Sequence, residues 1–351
     1  IKHIDQSLIL WRSSTQWIGG LYFLFSIIFL IDIYDENFKK TLTNYISFNS
    51  SEILKQAIKI FLLYSCLTLL IFVILNFFSI RSFDSLNLAF SLISSGGFLP
   101  VNDLSYIIKE NSQIIILSIL MLFSFFSIFL SYNLIFKKNK NLNFFYEDLH
   151  LIIYFIVVLT IFFLFFSFNN DFSNNLLSIS SSISNIGFSI DSNQSNLTLI
   201  FLILVIIGGS FLSTSSGLRF IKIYSLFKYS INQILSFSKP KNVFMNKLIF
   251  TNINFDFKEI NKYFLTVLIF IFSLFILSSL LSIAGMDFET SFKLSILTLM
   301  NTVNSSIYGL SEIDFNNLHF FIKFTLIFFM IIGRIELLTI LLLIKKFLFK
   351  N

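Results

Sequence analysis

Two short stretches carry the residue types that could strip an ion of its water: Ser95-Gly96-Gly97-Phe98 and Asn185-Ile186-Gly187-Phe188. A cation leaving water needs a substitute shell of oxygens that does not hold it too tightly. Rings of backbone carbonyls supply one, and glycine lets the backbone turn its carbonyls inward. A third stretch, Thr302-Val303-Asn304-Ser305, stands where a third loop is expected. There Asn304 takes the glycine position in one register and Gly309 in a shifted one. The distance from Asp287 favours Asn304, and Asn tolerates left-handed backbone better than most residues. The filter candidates are therefore Ser95, Gly96, Gly97, Asn185, Ile186, Gly187, Thr302, Val303 and Asn304. The plainer alternative is that these glycines only make turns. Other chemistry finds no foothold. His3, His150 and His319 are scattered, Cys66 is the sole cysteine, and no HExxH, GxSxG or Walker A stretch occurs. Neither an enzyme nor a cofactor in this chain is expected.

The elements that must position these loops are bilayer spans. The 351 residues are 56% hydrophobic and 13% charged, with two prolines. A spanning helix needs roughly 20 mostly apolar residues. Seven stretches qualify: about 17–34, 58–78, 112–136, 149–168, 197–228, 263–284 and 319–349. A span, a short amphipathic stretch and a second span recur three times. The short stretches run from Phe83 to Phe98, from Asp171 to Phe188 and from Asp287 to Asn304. Asp84, Asp171 and Asp287 lie near their starts, where Asp caps a helix and favours its positive end. These helices are too short to cross, and irregular backbone at membrane depth survives only inside protein or beside water. They read as re-entrant pore helices followed by pore loops. The predicted fold class is all-α: a polytopic membrane protein of helix–pore-loop–helix pseudo-repeats around a potassium-channel-like pore. Its repeats would be residues 1–34 (the remainder of a first), 35–140, 141–230 and 231–351.

Charge orients the chain. The net charge of +6 comes from Lys and Arg in short loops, so no nucleic-acid partner is expected. With every pore loop outside, sixteen of the 25 Lys and Arg face the cytoplasm and six face out, while Arg219, Lys222 and Arg334 lie within spans. That matches the positive-inside rule. Pore helices ending at the loops would aim their negative ends at the ion, which favours cations over anions.

Longer motifs carry a resemblance. Leu8 to Gly20 (LILWRSSTQWIGG) resembles the YRxxxQWxGG segment of Trk-type potassium uptake transporters. Ile206 to Lys222 (IIGGSFLSTSSGLRFIK) resembles their GGxxGSTxGGxKxxR motif, and Gly333 to Leu343 (GRIELLTILLL) their GRxExxTxLxL ending. The filter loops match in order and spacing. The resemblance implies a homodimer of pore subunits in a bacterial cytoplasmic (inner) membrane. It also implies a cytosolic nucleotide-binding regulatory subunit, TrkA-like, which would hold any nucleotide. By the same resemblance, Gly97 and Gly187 match filter glycines, and Gly208 to Gly217 matches an intramembrane loop that gates the pore. The gate residues are then Gly208, Gly209, Ser213, Thr214, Ser215, Ser216, Gly217 and Arg334. Composition agrees, since Gly, Ser and Thr weaken helix structure in the middle of an apolar run. A merely kinked helix is the alternative.

An Arg within a span is costly and usually functional. Arg334 would contact the gating loop or set a barrier to ion flow. Pairing with Glu336 is the structural alternative, although residues two apart on a helix do not face each other. Arg219 stands where the family usually has Lys. No pore loop precedes Leu8, so three of the four filter segments are in hand and upstream sequence is expected to be missing. The function expected is potassium uptake through a carbonyl-lined filter. Sodium or unselective monovalent cation transport on the same fold, or a substrate-coupled secondary transporter with broken helices, stays open.

Overall fold

The structure, a computed structural model, describes residues 5–34, 50–101, 103–128, 143–166, 172–190, 197–238, 257–310, 313, 315 and 318–335. Its helices are α1 (Gln6–Tyr34), α2 (Ser50–Phe77), α3 (Ser82–Ser94), α4 (Asn111–Phe125), α5 (Asn143–Phe166), α6 (Phe172–Ile183), α7 (Thr198–Ile206), α8 (Phe220–Ser238), α9 (Phe257–Ile283), α10 (Phe288–Leu299) and α11 (Phe320–Ile335). No strand occurs among the described residues. Within α2, α5 and α9, Ala57–Phe77, Glu147–Phe165 and Ile260–Ile283 are long and apolar enough to cross a membrane. Their exposed residues include Leu69, Val73, Leu164, Phe165, Phe272 and Phe275. Such a surface is stable against lipid and not against water. Cys66 is also on the exposed side rather than in the core.

The short helices α3, α6 and α10 are the re-entrant ones, and each sits between longer partners. α3 packs on α1 and α2, α6 on α4 and α7, and α10 on α9 and α11. Burying serine-rich helices is favourable when most hydroxyls find an acceptor. Many bond back one turn: Ser94 to Phe90 O, Ser178 to Asn174 O, Ser295 to Ser291 O and Thr298 to Leu294 O. Close approach of backbones completes the packing. A Cβ on Gly20 of α1 would lie 2.9 Å from Ser94 Cβ, and one on Gly333 of α11 would lie 2.1 Å from the Leu299 carbonyl oxygen. Because Leu299 O is backbone, Gly333→Val must push α10 and α11 apart. Overpacking of this kind costs roughly 1–3 kcal/mol. The melting temperature in detergent should fall by several degrees, and an unchanged value would mean that the helices part freely.

Two expected spans are broken. The run 197–228 divides into α7 and α8 around residues 207–219. In the run 112–136 the helix is interrupted after Phe125: Phe126 is extended (φ −79°, ψ 162°) and Ile128 is helical again. The first break was expected from its Gly and Ser content. The second was not, and its cause is tertiary: the carbonyls of Ser124 and Phe125 accept from Ser215 N–H (3.0 Å) and Ser210 N–H (3.0 Å). The end of the 319–349 run and Glu336 lie outside the described residues.

Candidate ion filter and gating loop

Each pore helix ends in the same way. α3 begins at Ser82, α6 at Phe172 and α10 at Phe288, and a left-handed residue follows thirteen positions later: Ser95 (φ 49°), Asn185 (φ 60°) and Asn301 (φ 51°). The next amide in each case reaches back five residues: Gly96 to Ser91 O, Ile186 to Ser181 O and Thr302 to Leu297 O. This is the Schellman closure of a helix C-terminus. It turns the chain sharply and leaves the negative end of each helix beside the loop.

The closure fixes the register. Gly97 and Gly187 stand two residues past the left-handed cap, at φ 69° and 87°. The equivalent in the third loop is Val303, not Asn304. The placement at Asn304 is one residue too long, since Gly187 stands sixteen residues after Asp171 and Val303 sixteen after Asp287; Gly97 stands only thirteen after Asp84, so Asp is not a constant ruler either. Asp287 is the N-cap of α10, but Arg81 is the N-cap of α3 and Asp84 lies in its first turn. Asp171 is outside the described residues. The Asn304 side chain instead donates to Leu310 O at 2.7 Å, bracing the loop. Gly309 caps the 3-10 turn Ser306–Tyr308.

The three loops meet. A Cβ on Gly97 would lie 2.1 Å from the Ile186 carbonyl oxygen, and one on Gly187 would lie 2.3 Å from the Val303 carbonyl oxygen. Carbonyls of neighbouring loops therefore face the two glycines, and nothing larger than hydrogen fits. Side chains hold the loops in place. Asn185 donates to Val205 O (2.8 Å) and to Thr302 Oγ1 (3.3 Å), and Ser189 pairs with Ser306 (3.1 Å). Gln16 of α1 donates to Gly96 O at 3.0 Å. Gln16 was not singled out from sequence, although it lies in the QWIGG stretch. Above the loops opens a cavity of about 470 Å³ lined by Gly97, Phe98, Gly187, Phe188, Val303 and Asn304, among others. Arg12 caps Phe98 at its edge, 4.0 Å from the ring centroid. Below, a cavity of about 350 Å³ runs between Gly20, Gly96, Asn301 and Arg334.

The segment between α7 and α8 folds back beneath the filter loops. Its ends pair as a parallel bridge of Ile207 with Leu218, with Gly208 N–H on Leu218 O (2.9 Å) and Leu218 N–H on Ile206 O (3.0 Å). Gly208 and Gly217 allow this closure. A Cβ on Gly208 would lie 2.3 Å from Ser216 O, and Gly217 adopts φ 91°. The tip reaches the pore helices: Thr214 Oγ1 donates to Ile93 O (2.7 Å), and Ser95 Oγ donates to Thr214 O (2.8 Å). Ser213 and Ser215 share a hydrogen bond of 2.9 Å, and Ser215 Oγ accepts from Gly209 N–H (3.1 Å). Arg219 donates to the carbonyls of Ser210 (2.9 Å) and Ser215 (3.2 Å), so it stiffens the loop from inside. Arg334 donates to Ser216 Oγ and to Ser94 O (3.3 Å), linking loop, pore helix and α11. Its guanidinium carbon lies 4.4 Å from the Phe23 ring centroid. Gly208, Gly209, Ser213, Thr214, Ser215, Ser216 and Arg334 thus share one hydrogen-bonded network, with Gly217 packed against Gly208.

Sequence reasoning missed Glu147 and Asp148 near the start of α5, which stand just ahead of the expected span 149–168. Both are buried. Glu147 Oε1 accepts from Phe211 N–H (3.0 Å) and Asp148 Oδ1 from Ser127 N–H (3.1 Å).

No protein-family model matches the chain. An uncharacterized cation transporter of Methanocaldococcus jannaschii is 23% identical over 297 residues, which are 80% of this chain and 58% of that protein. The chain thus spans little more than half the length of that curated relative. The crystal structure of the potassium transporter TrkH from Vibrio parahaemolyticus is similar at a TM-score of 0.77, with 20% identity over 97% of this chain and 73% of the other. With its apolar spans and re-entrant helices, the chain is a multi-pass, all-α membrane protein that has the fold of the potassium transporter TrkH.

Proposed function

We propose that the chain forms the ion pathway of a potassium uptake transporter. One observation carries this reading: three pore helices with identical left-handed closures bring their loops together above a loop hydrogen-bonded beneath them. A cation there meets backbone carbonyls and three negative helix ends, which suits a dehydrated monovalent cation. One re-entrant helix per repeat, all closed alike, favours a pore over a secondary transporter whose half-helices cradle a substrate. The four repeats divide at 35, 141 and 231, with the pore loops outside and the lysine-bearing connections in the cytoplasm. A homodimer and a cytosolic nucleotide-binding subunit complete the proposal. Lys239, Lys241 and Lys247, in a lysine-bearing connection proposed to dock that subunit, lie outside the described residues. The test is growth of a potassium-uptake-deficient bacterium at low external potassium with the protein expressed from its native reading frame. Rescue is expected; absence of rescue with verified expression overturns the reading. A second reading, sodium or unselective cation transport, is favoured by Val303 at a glycine position.

In this reading, residues 207–219 close the pathway and Arg334 fastens them. Deleting part of the stretch from Gly208 to Gly217 removes the bonds of Thr214 and Ser216 to the pore helix and to α11. Rubidium uptake should rise roughly tenfold, the response to a shift of about 1.4 kcal/mol between closed and open forms. Unchanged uptake at equal expression would make the stretch a kink only.

A further inference from the structure

The two acids at the head of α5 have no part in the filter, yet they are the points at which both helix breaks are tied down. α4 breaks after Phe125, and its next amide but one, Ser127 N–H, is taken by Asp148. The gating loop leaves α7 at Ile206, and Phe211 N–H is taken by Glu147. The two broken segments also pair directly. Ile128 N–H donates to Leu212 O (3.1 Å), Ser210 N–H to Phe125 O and Ser215 N–H to Ser124 O. Glu147 and Asp148 are 2% and 1% exposed, and Phe211 and Leu212 are as deeply buried. Acidic side chains at such depth are retained only with strong partners. Here the partners are main-chain donors released by the breaks, and a carboxyl oxygen accepts from each of them. The Arg219 guanidinium, bonded to Ser210 O and Ser215 O, supplies nearby positive charge from within the same loop.

We propose that Glu147 and Asp148 are positioning residues that latch the gating loop shut, Glu147 by holding Phe211 and Asp148 by holding the α4 segment on which the loop rests. Tilting or shifting α5 would then withdraw both carboxylates together and free the loop. The cytoplasmic end of α5 becomes the lever through which the pathway opens. This rests on the gating reading above but fails separately from it. α8 leaves the loop against the same helix, with His150 of α5 packed edge-on to Tyr224 (5.3 Å) and Tyr154 against Phe220 (5.7 Å). Movement of α8 is therefore transmitted to α5.

The test uses two readouts in one background, Cys66→Ser with Ser213→Cys as a reporter. Rubidium uptake measures opening, and maleimide modification of the reporter measures loop release. Glu147→Ala should raise both, uptake by roughly tenfold, since a buried donor left without its acceptor loses a bond of about that weight. Glu147→Gln, which keeps an acceptor oxygen for Phe211 N–H, should lie between. If Glu147→Ala does not assemble, Glu147→Asp withdraws the carboxylate by one methylene and carries the same readouts. Modification and uptake both at the parental level would overturn the latch, as would raised uptake with unchanged modification. Raised modification in a protein that carries no rubidium even after loop deletion would uphold the latch and overturn the gate.

Discussion

Replacing Gly187 with Ser should lower the preference for potassium over sodium by roughly tenfold, the equivalent of about 1.4 kcal/mol of differential binding. Two independent costs fall on this position. Gly187 sits at φ 87°, and left-handed backbone costs a residue with a side chain roughly 1–2 kcal/mol. Its added Cβ would also lie 2.3 Å from the Val303 carbonyl oxygen and 3.0 Å from the Val303 carbonyl carbon. Both are backbone atoms of another pore loop, so neither can rotate away. The second and third loops must separate, and carbonyls that faced the ion path turn with them. Selectivity depends on where those oxygens stand, whether by fit or by field strength. Competition of sodium against rubidium uptake reads the change. Wild-type competition at wild-type expression would remove Gly187 from the ion path.

The re-entrant helices were legible because their signature is local. Each is a polar, serine-rich segment too short to span, set between long apolar runs, and bilayer physics leaves few uses for such a segment. The broken helix at 207–219 was legible for a similar reason: glycine and hydroxyl residues crowd one window. What the sequence did not disclose was set by tertiary contacts. Nothing in the apolar run after Asn111 marks Phe126 as a break, because the break is made by the amides of Ser210 and Ser215, 85 and 91 residues further along the chain, which reach the Phe125 and Ser124 carbonyls. Glu147 and Asp148 looked like loop charges for the same reason, since their partners Phe211 and Ser127 come from other elements. The register of the third loop was readable in principle. The signal was the C-terminal one, with Ser95, Asn185 and Asn301 small or amide residues of the kind that enter left-handed backbone. The N-terminal Asp was the weaker guide, because a helix start tolerates a cap or a first-turn acid one turn apart.

That register leads to the sharpest expectation for the ion path. Val303 occupies the position of Gly97 and Gly187 but stays out of the left-handed region they use. A β-branched residue there has no other choice. Its side chain is 38% exposed and projects into the shared opening, where Cγ2 would come within 2.6 Å of a Cβ on Gly97. An isopropyl group there narrows the path and offers an ion no oxygen. The third loop therefore cannot repeat the carbonyl arrangement of the other two. Val303→Gly removes the obstruction and restores access to the left-handed conformation in a single change. Rubidium uptake should rise, and discrimination against sodium should improve by roughly tenfold, one well-placed ligand's worth of differential energy. Gly also adds backbone freedom worth roughly 0.5–1 kcal/mol against the folded loop. The bracing bonds from Asn185 to Thr302 and from Asn304 to Leu310 hold the flanks of the position against that loss. The paired variant Val303→Ala separates the two contributions, since it clears most of the opening while still disfavouring left-handed backbone. If uptake rises with both variants but discrimination improves only with Gly, obstruction and backbone geometry act separately. If neither variant changes uptake or competition, Val303 lies off the ion path.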